Sequence, residues 1–382
     1  MRQPASITQL GIAYHRYGDR AFGITQSDRL SHLYVIGQTG TGKSTLLGQM
    51  ARQDAAQGIG FCLLDPHGDL ASELATALPD ALYWDVADPA SPYGYNPLTR
   101  TSPALRPLVA SGLIEALKAQ WADAWGVRME HLLRYAILAL LDTPTPDLTQ
   151  IMPLYLNKDF RATVLPQVRD EQVRAFWIEE FGRMNYKTAI DGVAPIANKL
   201  GAFLAHPVVR RALCEPVEPL RFRRAMDTGQ GVIVNLGKGR LGGDLANVIG
   251  GMLVSSLMHA AFTRSTVAHG DRHPFNLYVD EFHAFTSESF AHLLAETRKY
   301  GLSATLAQQH TAQTNPGVLA SILGNVGTVM AFRLGALDAP LLASQLGDVS
   351  PETLTTQPNH QAYVRLLHQG HPSRAFSMRT VL

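Results

Sequence analysis

Two stretches far apart in the chain carry residues that could do chemistry on a polyphosphate. The first is Gly37-Gln-Thr-Gly-Thr-Gly-Lys-Ser-Thr45, a G-x-x-x-x-G-K-S pattern between the apolar run Leu33 to Ile36 and the apolar pair Leu46-Leu47. Strand, glycine-rich loop and helix are the setting in which this pattern cradles phosphates. Gly37, Gly40 and Gly42 are expected to take positive φ values, so that the loop residues Gln38, Thr39 and Thr41 turn their N–H groups toward the anion. The helix that starts near Lys43, Ser44 and Thr45 adds its N-terminal partial charge. Lys43 would meet the β- and γ-phosphates as a point charge, and Ser44 would offer its hydroxyl to Mg²⁺. The second stretch is Asp280-Glu281, which ends the mostly apolar run from Phe275. Asp280 would hold the water shell of the metal, and Glu281 would polarise the attacking water, because hydrolysis needs a base beside the γ-phosphate. A pair of acids after an apolar run can also cap a helix, which is the competing role. Together the two stretches predict binding and hydrolysis of a nucleoside triphosphate.

The intervening sequence supplies the elements to hold them. Gly58 to Leu64 is apolar throughout, as a strand buried in a parallel sheet requires. It ends in Asp65-Pro-His-Gly-Asp-Leu70, where Pro66 and Gly68 force a turn. Asp65 then lies at the carboxyl end of the strand, the edge where open α/β sheets bind ligands. Asp65 and His67 are expected to line the nucleotide site, with simple turn formation as the alternative. Ala81 to Val86 reads as a further strand. From about Pro103 to Arg224 the spacing is helical, as in Glu130 to Leu141, which Thr143-Pro-Thr-Pro146 stops and after which Asp147 reads as an N-cap. Strands resume at Gly231 to Leu236, Phe275 to Phe282, Leu302 to Ala307 and Val326 to Leu334. A helix running through Lys299 follows the acidic pair, and Ala362 to Leu367, turned at Gly370, reads as a closing hairpin. The expected division is 1–100 for N-terminal strands and the first part of the nucleotide domain, 101–228 for a helical insertion, and 229–382 for the second part.

Composition sets limits on partners. Across 382 residues, 46% are hydrophobic and 17% charged, and the formal net charge is +1, so a nucleic acid would have to be met by a local patch or pore. Cys62 and Cys214 are the two cysteines, and the 14 histidines lack ligand spacing, which suggests a reducing cytosol and no structural metal. Met1 to Thr8 has no apolar core of a signal peptide. Leu245 to Phe262 is long and uncharged, yet it carries Asn247, Ser255, Ser256, His259 and two adjacent glycines. A helix buried against a sheet accounts for it better than a membrane span. The chain reads as soluble and cytoplasmic.

The segment Asp28-Arg-Leu-Ser-His-Leu-Tyr-Val-Ile-Gly-Gln-Thr-Gly-Thr-Gly-Lys-Ser44 resembles the HerA–FtsK class of pumping ATPases, and within it the coupling ATPases of conjugative DNA transfer in type IV secretion. Further matches are Asp65-Pro-His-Gly-Asp-Leu70, Tyr95-Asn-Pro-Leu98, Tyr278-Val-Asp-Glu-Phe282, Arg298-Lys-Tyr-Gly-Leu302, Gln309, Asn325-Val-Gly-Thr328, Phe332-Arg-Leu334 and Asp338-Ala339. They run in family order over nearly the full length. The resemblance implies an α/β fold, a RecA-like P-loop NTPase sheet with an all-α inserted domain. It also implies ATP and Mg²⁺ as cofactors and a homo-hexameric ring with its sites at subunit boundaries. Single- or double-stranded DNA would occupy the channel, with relaxosome or type IV secretion components as partners. Arg298 matches the arginine finger that reaches into a neighbouring subunit, and Gln309 the sensor glutamine beside the γ-phosphate. Arg333 is either a second cation at the subunit junction or a solvated strand-end residue. Lys238 and Arg240, in the glycine-rich loop Gly237 to Asp244, are the first candidates for DNA contact, with the cluster Arg221, Arg223 and Arg224 behind them. Coupling proteins of this kind usually begin with membrane-spanning helices, and none is read here. A membrane partner that holds the protein at the inner membrane is one expectation, a cytosolic DNA-processing or packaging motor another. The alternative function is a type IV secretion ATPase that powers protein transport or machine assembly without DNA.

Overall fold

A computed structural model describes residues 7–98, 101–184, 186–285 and 288–381. The residues divide into two compact units. The first takes in Met1–Trp84, Phe222–Leu236 and Ala260–Leu382, and is built on one large sheet. Its strands are β1 Ile7–Ala13, β2 Arg20–Thr25, β3 Leu33–Ile36, β4 Gly60–Asp65, β5 Leu82–Asp85, β6 Gly231–Asn235, β7 Phe275–Val279, β8 Leu302–Gln308, β9 Thr328–Ala331, β10 Gln361–Arg365 and β11 Phe376–Arg379. They lie in the order β2-β1-β11-β10-β9-β3-β8-β7-β4-β6-β5.

The middle of this sheet is parallel from β9 through β3, β8, β7 and β4 to β6. Parallel strands are covered on both faces, and every residue of β3, β4, β7 and β8 is buried. That is why β3 and most of β4 are continuous apolar runs in the sequence, while β7 and β8 bury the polar residues Asn276, Ser303, Thr305 and Gln308. The flank β9-β10-β11-β1-β2 is antiparallel, and β10 alternates buried with half-buried side chains, as a sheet with one wetter face does. Beyond β10 the chain turns through Gln369 and Gly370, both at positive φ (51° and 79°), the backbone a tight hairpin requires. β9 stops at Ala331 rather than at Leu334. Past it, the N–H groups of Phe332 and Leu334 turn to the carbonyls of Ile36 (2.8 Å) and Leu354 (2.9 Å).

Helices α1 Lys43–Ala56, α2 Asp69–Ala77, α7 Glu288–Thr297, α8 Pro316–Asn325 and α9 Ala339–Leu346 connect the strands of this unit. The second unit comprises Asp85–Arg221 and Gly237–His259. It contains α3 Arg106–Gln120, α4 Val127–Leu140, α5 Tyr186–Ala205 and most of α6 Gly243–Phe262. The helical unit thus draws on stretches either side of β6, where the sequence suggests one insertion at 101–228. The expected boundary at residue 100 lies outside the described residues. Asp147 caps the turn that follows it, through the N–H of Thr149. The expected loop after Gly237 contains a short helix, Lys238–Leu241.

The long apolar helix α6 carries one charged residue, Asp244, in its first turn. Through His259 it belongs to the helical unit, where it meets α3. Gly112 of α3 makes the contact possible, because a Cβ there would stand 2.1 Å from Ser255 Oγ and 2.5 Å from His259 Cε1. Burial holds the His259 imidazole down to a pKa of about 4. By length and composition Gly243–Thr266 could cross a membrane, and 61% of its most apolar window is buried in the fold.

At the end of α1 away from the P-loop lies a buried polar network. Arg29 and Asp54 are both fully buried, with Arg29 Nη1 2.6 Å from Asp54 Oδ1. Arg29 also donates to Thr8 Oγ1 (2.9 Å) and to the Tyr278 hydroxyl (2.6 Å). The Tyr278 hydroxyl in turn donates to Asp54, as does Asn276 Nδ2 at 2.8 Å. Asn276 Oδ1 accepts from Ser303 (2.6 Å) and Gln26 (3.0 Å). The last turn of α1 is thereby bonded to β7, the strand that leads to Asp280. Asp54→Ala leaves the Arg29 charge buried and unpaired, and should cost about 3–5 kcal/mol of stability in urea unfolding. The apolar pair Arg29→Met with Asp54→Leu should recover most of that loss. A double variant as unstable as the single one would contradict this account.

Candidate active site

The P-loop follows β3 and ends where α1 starts. Gly40 (φ 73°) and Gly42 (φ 116°) take the left-handed backbone expected of them. Gly37 does not, and its constraint is space: a Cβ would sit 2.5 Å from the Cβ of Phe332. Neighbouring strand ends hold the loop through backbone bonds. Gly37 N–H donates to the Gln308 carbonyl (3.3 Å), Gln38 N–H to the Arg333 carbonyl (2.9 Å) and His360 N–H to the Thr41 carbonyl (2.7 Å). Arg333 is half-buried rather than freely solvated. Its guanidinium braces its own P-loop, donating to Gln38 Oε1 (3.2 Å) and to the Gln357 carbonyl (3.3 Å). Thr41 Oγ1 closes the turn on the Gln38 carbonyl (2.7 Å). Lys43 is buried, with Nζ donating to the carbonyls of Gly37 (2.6 Å) and Gln38 (3.2 Å). Burial lowers its pKa, against the opposing pull of Asp280 and Glu281.

Three carboxylates face this lysine from adjacent strand ends. Asp65, the last residue of β4, accepts the N–H groups of His67 and Ala71, each at 2.9 Å. It therefore shapes the turn into α2 and also lines the site. Asp280 follows β7. Its Oδ1 accepts the Glu281 N–H (3.0 Å), and its Oδ2 lies 3.5 Å from Ser44 Oγ. Burial pushes its pKa up to about 6, helped by the charges of Glu281 and Asp65. A hydroxyl and a carboxylate, two hard oxygen donors with room for water and phosphate oxygens, suit Mg²⁺, which seldom takes a full protein cage.

Glu281 is the most constrained of the three. It has φ 49° and ψ 47°, a left-handed conformation that is costly for a non-glycine residue and that clusters at functional sites. It occupies the N-cap position of the short turn Phe282–Ala284, yet its side chain makes no capping bond. The buried Oε2 has no hydrogen-bond partner, and His283 Nδ1 stands 3.4 Å away. The capping role that competes for this acid is therefore unfilled.

These groups line one cavity of about 790 Å³ together with Thr39, Gly40, Thr45, His67 and Gln309. Thr39 Oγ1 donates to Gln309 Oε1 (3.0 Å). Gln308 points the other way, fully buried between the Tyr34 hydroxyl (2.6 Å) and Thr314 Oγ1 (2.6 Å). The cavity continues past Gly48, Gln49 and Arg52 of α1 and Asp69 and Glu73 of α2, which sequence reasoning missed. Ser44, Gly48 and Arg52 recur at every fourth position, the spacing that puts residues on one helix face, so periodicity could have found them.

The remaining candidates are elsewhere. Arg298 is exposed just past α7 and off the cavity wall, and among the described residues its guanidinium has no hydrogen bond or ion pair. Lys238 and Arg240 belong to the helical unit and do not line the cavity. Arg240 Nη2 contacts both oxygens of Asp85 (2.5 and 2.6 Å), so its charge is already balanced. Arg223 is held by Asp227 (2.6 Å) and the Thr263 carbonyl (2.7 Å).

Residues 26–101 match the family described as Helicase HerA, central domain. The chain has no match among the curated proteins. Solved structures share its fold. VirB4 of Thermoanaerobacter pseudethanolicus superposes with a TM-score of 0.69 at 15% identity, covering 100% of this chain and 97% of that one. The bacterial conjugative coupling protein TrwBΔN70, unbound, gives 0.64 at 16% identity, covering 94% and 87%. The plasmid coupling protein TrwB in complex with ADP and Mg²⁺ gives 0.64 at 15%, covering 99% and 95%. The fold is thus α/β, a RecA-like P-loop sheet with a helical insertion, and the resemblance to HerA–FtsK ATPases read from the motifs is borne out.

The raised pKa of Asp280 has a consequence for stability. The folded protein holds that proton more tightly than the unfolded chain, so this residue's contribution is full below pH about 4 and is lost as pH rises through about 6. Asp280→Asn should therefore be more stable than the parent in urea at pH 8, by about 2–3 kcal/mol. The advantage should shrink as pH falls from 6 to 4. An advantage equal at both ends of that range would exclude ionisation as its source.

Proposed function

We propose that this chain is an ATP-driven motor ATPase of the HerA–FtsK type that hydrolyses ATP to ADP and phosphate. Its work would be to pump DNA through a homo-hexameric ring during conjugative transfer or a related DNA-processing event. The observation that carries the reading is one cavity in which Ser44 meets Asp280 beside Lys43, while Glu281 keeps a buried carboxylate oxygen without a partner. The complexes of TrwB with ADP and Mg²⁺ and with a non-hydrolysable ATP analogue support ATP and Mg²⁺ as the cofactors here.

In this reading the loop from Gly37 to Gly42 wraps the phosphates with its N–H groups, and Lys43 exchanges the carbonyls of Gly37 and Gln38 for phosphate oxygens. Ser44 and Asp280 would hold Mg²⁺, which supplies charge neutralisation between the β- and γ-oxygens. Glu281 accepts the proton of the attacking water, and Gln309, steadied by Thr39, orients that water. Asp65 keeps the turn beside the site rigid. The cavity wall carries five carboxylates, Asp65, Asp69, Glu73, Asp280 and Glu281, against the cations Lys43 and Arg52. That imbalance favours a further cation brought from outside, and Arg298 of an adjacent subunit suits the task, as a planar guanidinium with no partner of its own among the described residues.

The division into a nucleotide domain in two parts, about 1–100 and 229–382, around a helical insertion belongs to the same proposal. So does a cytoplasmic protein, held at the inner membrane where a partner anchors it, that works with relaxosome or type IV secretion components. For DNA contact Lys238 is the better of the two candidates, since Arg240 is paired with Asp85. A second reading, a type IV secretion ATPase that powers protein transport or assembly without DNA, is favoured by the fold shared with VirB4 and by the net charge of +1.

Steady-state ATPase assays with and without single- and double-stranded DNA, at two salt concentrations, separate the two readings. A DNA motor gives stimulation that fades steeply with salt, whereas a rate indifferent to DNA transfers the assignment to protein transport. Glu281→Gln should retain nucleotide binding and lose about 100-fold or more in turnover. A fully active Glu281→Gln enzyme would sink the catalytic assignment.

A further inference from the structure

His32 stands at the start of the P-loop strand, with φ 62°, a left-handed conformation uncommon among non-glycine residues. Its side chain is buried. Nδ1 accepts the N–H of Ala304 in β8 at 3.1 Å, which puts the ring proton on Nε2, and Nε2 donates to the carbonyl of Leu294 at 2.9 Å. Leu294 belongs to the last turn of α7, one helical turn before Arg298. Carbonyls at a helix C-terminus have no partner within the helix. Here Leu294 receives two, the His32 ring and Thr297 Oγ1 (2.8 Å). The imidazole is neutral, because burial and then the nearby Arg298 charge hold its pKa down to about 4. The backbone around His32 is pinned as well, with Gly327 N–H on the Ser31 carbonyl (2.6 Å) and Thr328 N–H on the His32 carbonyl (3.3 Å).

We propose that His32 is a positioning residue for Arg298. It ties the end of the helix that presents this arginine to the strand that carries the same subunit's P-loop. The inference rests on the reading of Arg298 as a group that acts on the site of an adjacent subunit. A defect at His32 then belongs to the neighbour's site, although His32 is covalently close to its own. The bridge also makes the arginine follow any displacement of β3 in the subunit that bears it.

Mixing experiments separate this from a plain structural role. His32→Asn keeps the left-handed backbone, which asparagine tolerates, while its side chain is too short to span Ala304 and Leu294. Alone it should bind a fluorescent ATP analogue within about twofold of the parent and lose about 100-fold in turnover, the scale for a displaced catalytic group. Mixed with Lys43→Ala subunits, which are themselves inactive but present an intact His32 and Arg298, the His32→Asn sites should recover activity. Arg298→Ala mixed with Lys43→Ala is the reference and should recover equally. Recovery of the Arg298→Ala mixture without that of His32→Asn overturns the positioning role and assigns the defect to its own P-loop. Recovery of neither overturns the reading of Arg298 on which the inference stands. Should His32→Asn not fold, His32→Gln in the same mixtures decides the question by the same outcomes.

Discussion

Buried negative charge is the constraint around which the sheet unit is arranged. Because β4 and β7 run parallel and side by side, their carboxyl ends deliver Asp65, Asp280 and Glu281 to one edge, beside the buried ammonium of Lys43. Each charge is met differently. Asp65 is satisfied by two backbone N–H groups, and Lys43 by two loop carbonyls. Asp280 has one N–H and a distant hydroxyl, and its pKa is raised. Glu281 is left with an oxygen that bonds nothing. A buried carboxylate without partners costs several kcal/mol if nothing answers it. A divalent cation, a polyphosphate's metal shell and a water to deprotonate are what such an edge suits, so the electrostatic burden of the free protein is also its preorganisation.

Such a site works only if its parts keep their spacing, and the polar contacts beneath it serve that end. The 14-residue helix α1 is about 20 Å long. It carries Ser44 at one end and Asp54 at the other, and Asp54 is bonded to Tyr278, two residues before Asp280 on β7. Fixing the far end of a rigid helix to the strand that bears Asp280 limits the drift of Ser44 at the near end. Arg333 does the same for the loop itself through Gln38, and Gly37 allows Phe332 to press against it. An apolar replacement of the Arg29–Asp54 pair could stabilise the unit as well, but would not give the directional bonds that set register between α1 and β7.

Legibility in the sequence followed how local the physics was. β3 could be bounded to the residue because a strand buried on both faces is an apolar run between a turn and a glycine loop. Gln309 is singled out over Gln308 by its match to the family motif; alternation along a strand says that only one of the two can reach the site, not which. Contacts between distant residues left no such mark. Nothing around Arg29 names Asp54, and nothing around Arg240 names Asp85. Nor does the apolar run of α6 name α3, which Gly112 lets approach it. The glycines of the P-loop were legible as a group, while the separate reason for Gly37 depended on Phe332, which arrives from β9.

In the proposed ring, one chain would fall short of a complete site. Arg52, the other permanent cation on the cavity wall, is engaged by Glu73 at 2.6 Å, across α1 and α2. Lys43 can offset one of the charges that phosphoryl transfer spreads over the equatorial oxygens, and a mobile solvent cation offers no fixed geometry. An arginine supplied by a second copy brings both charge and direction, and it is withdrawn when the copies part. Tying that arginine to the P-loop strand of its own subunit, as proposed for His32, would make its placement depend on the state of one site while its charge acts on the next. Hydrolysis would then be ordered around the ring by contacts no longer than a hydrogen bond, with no separate signalling element required.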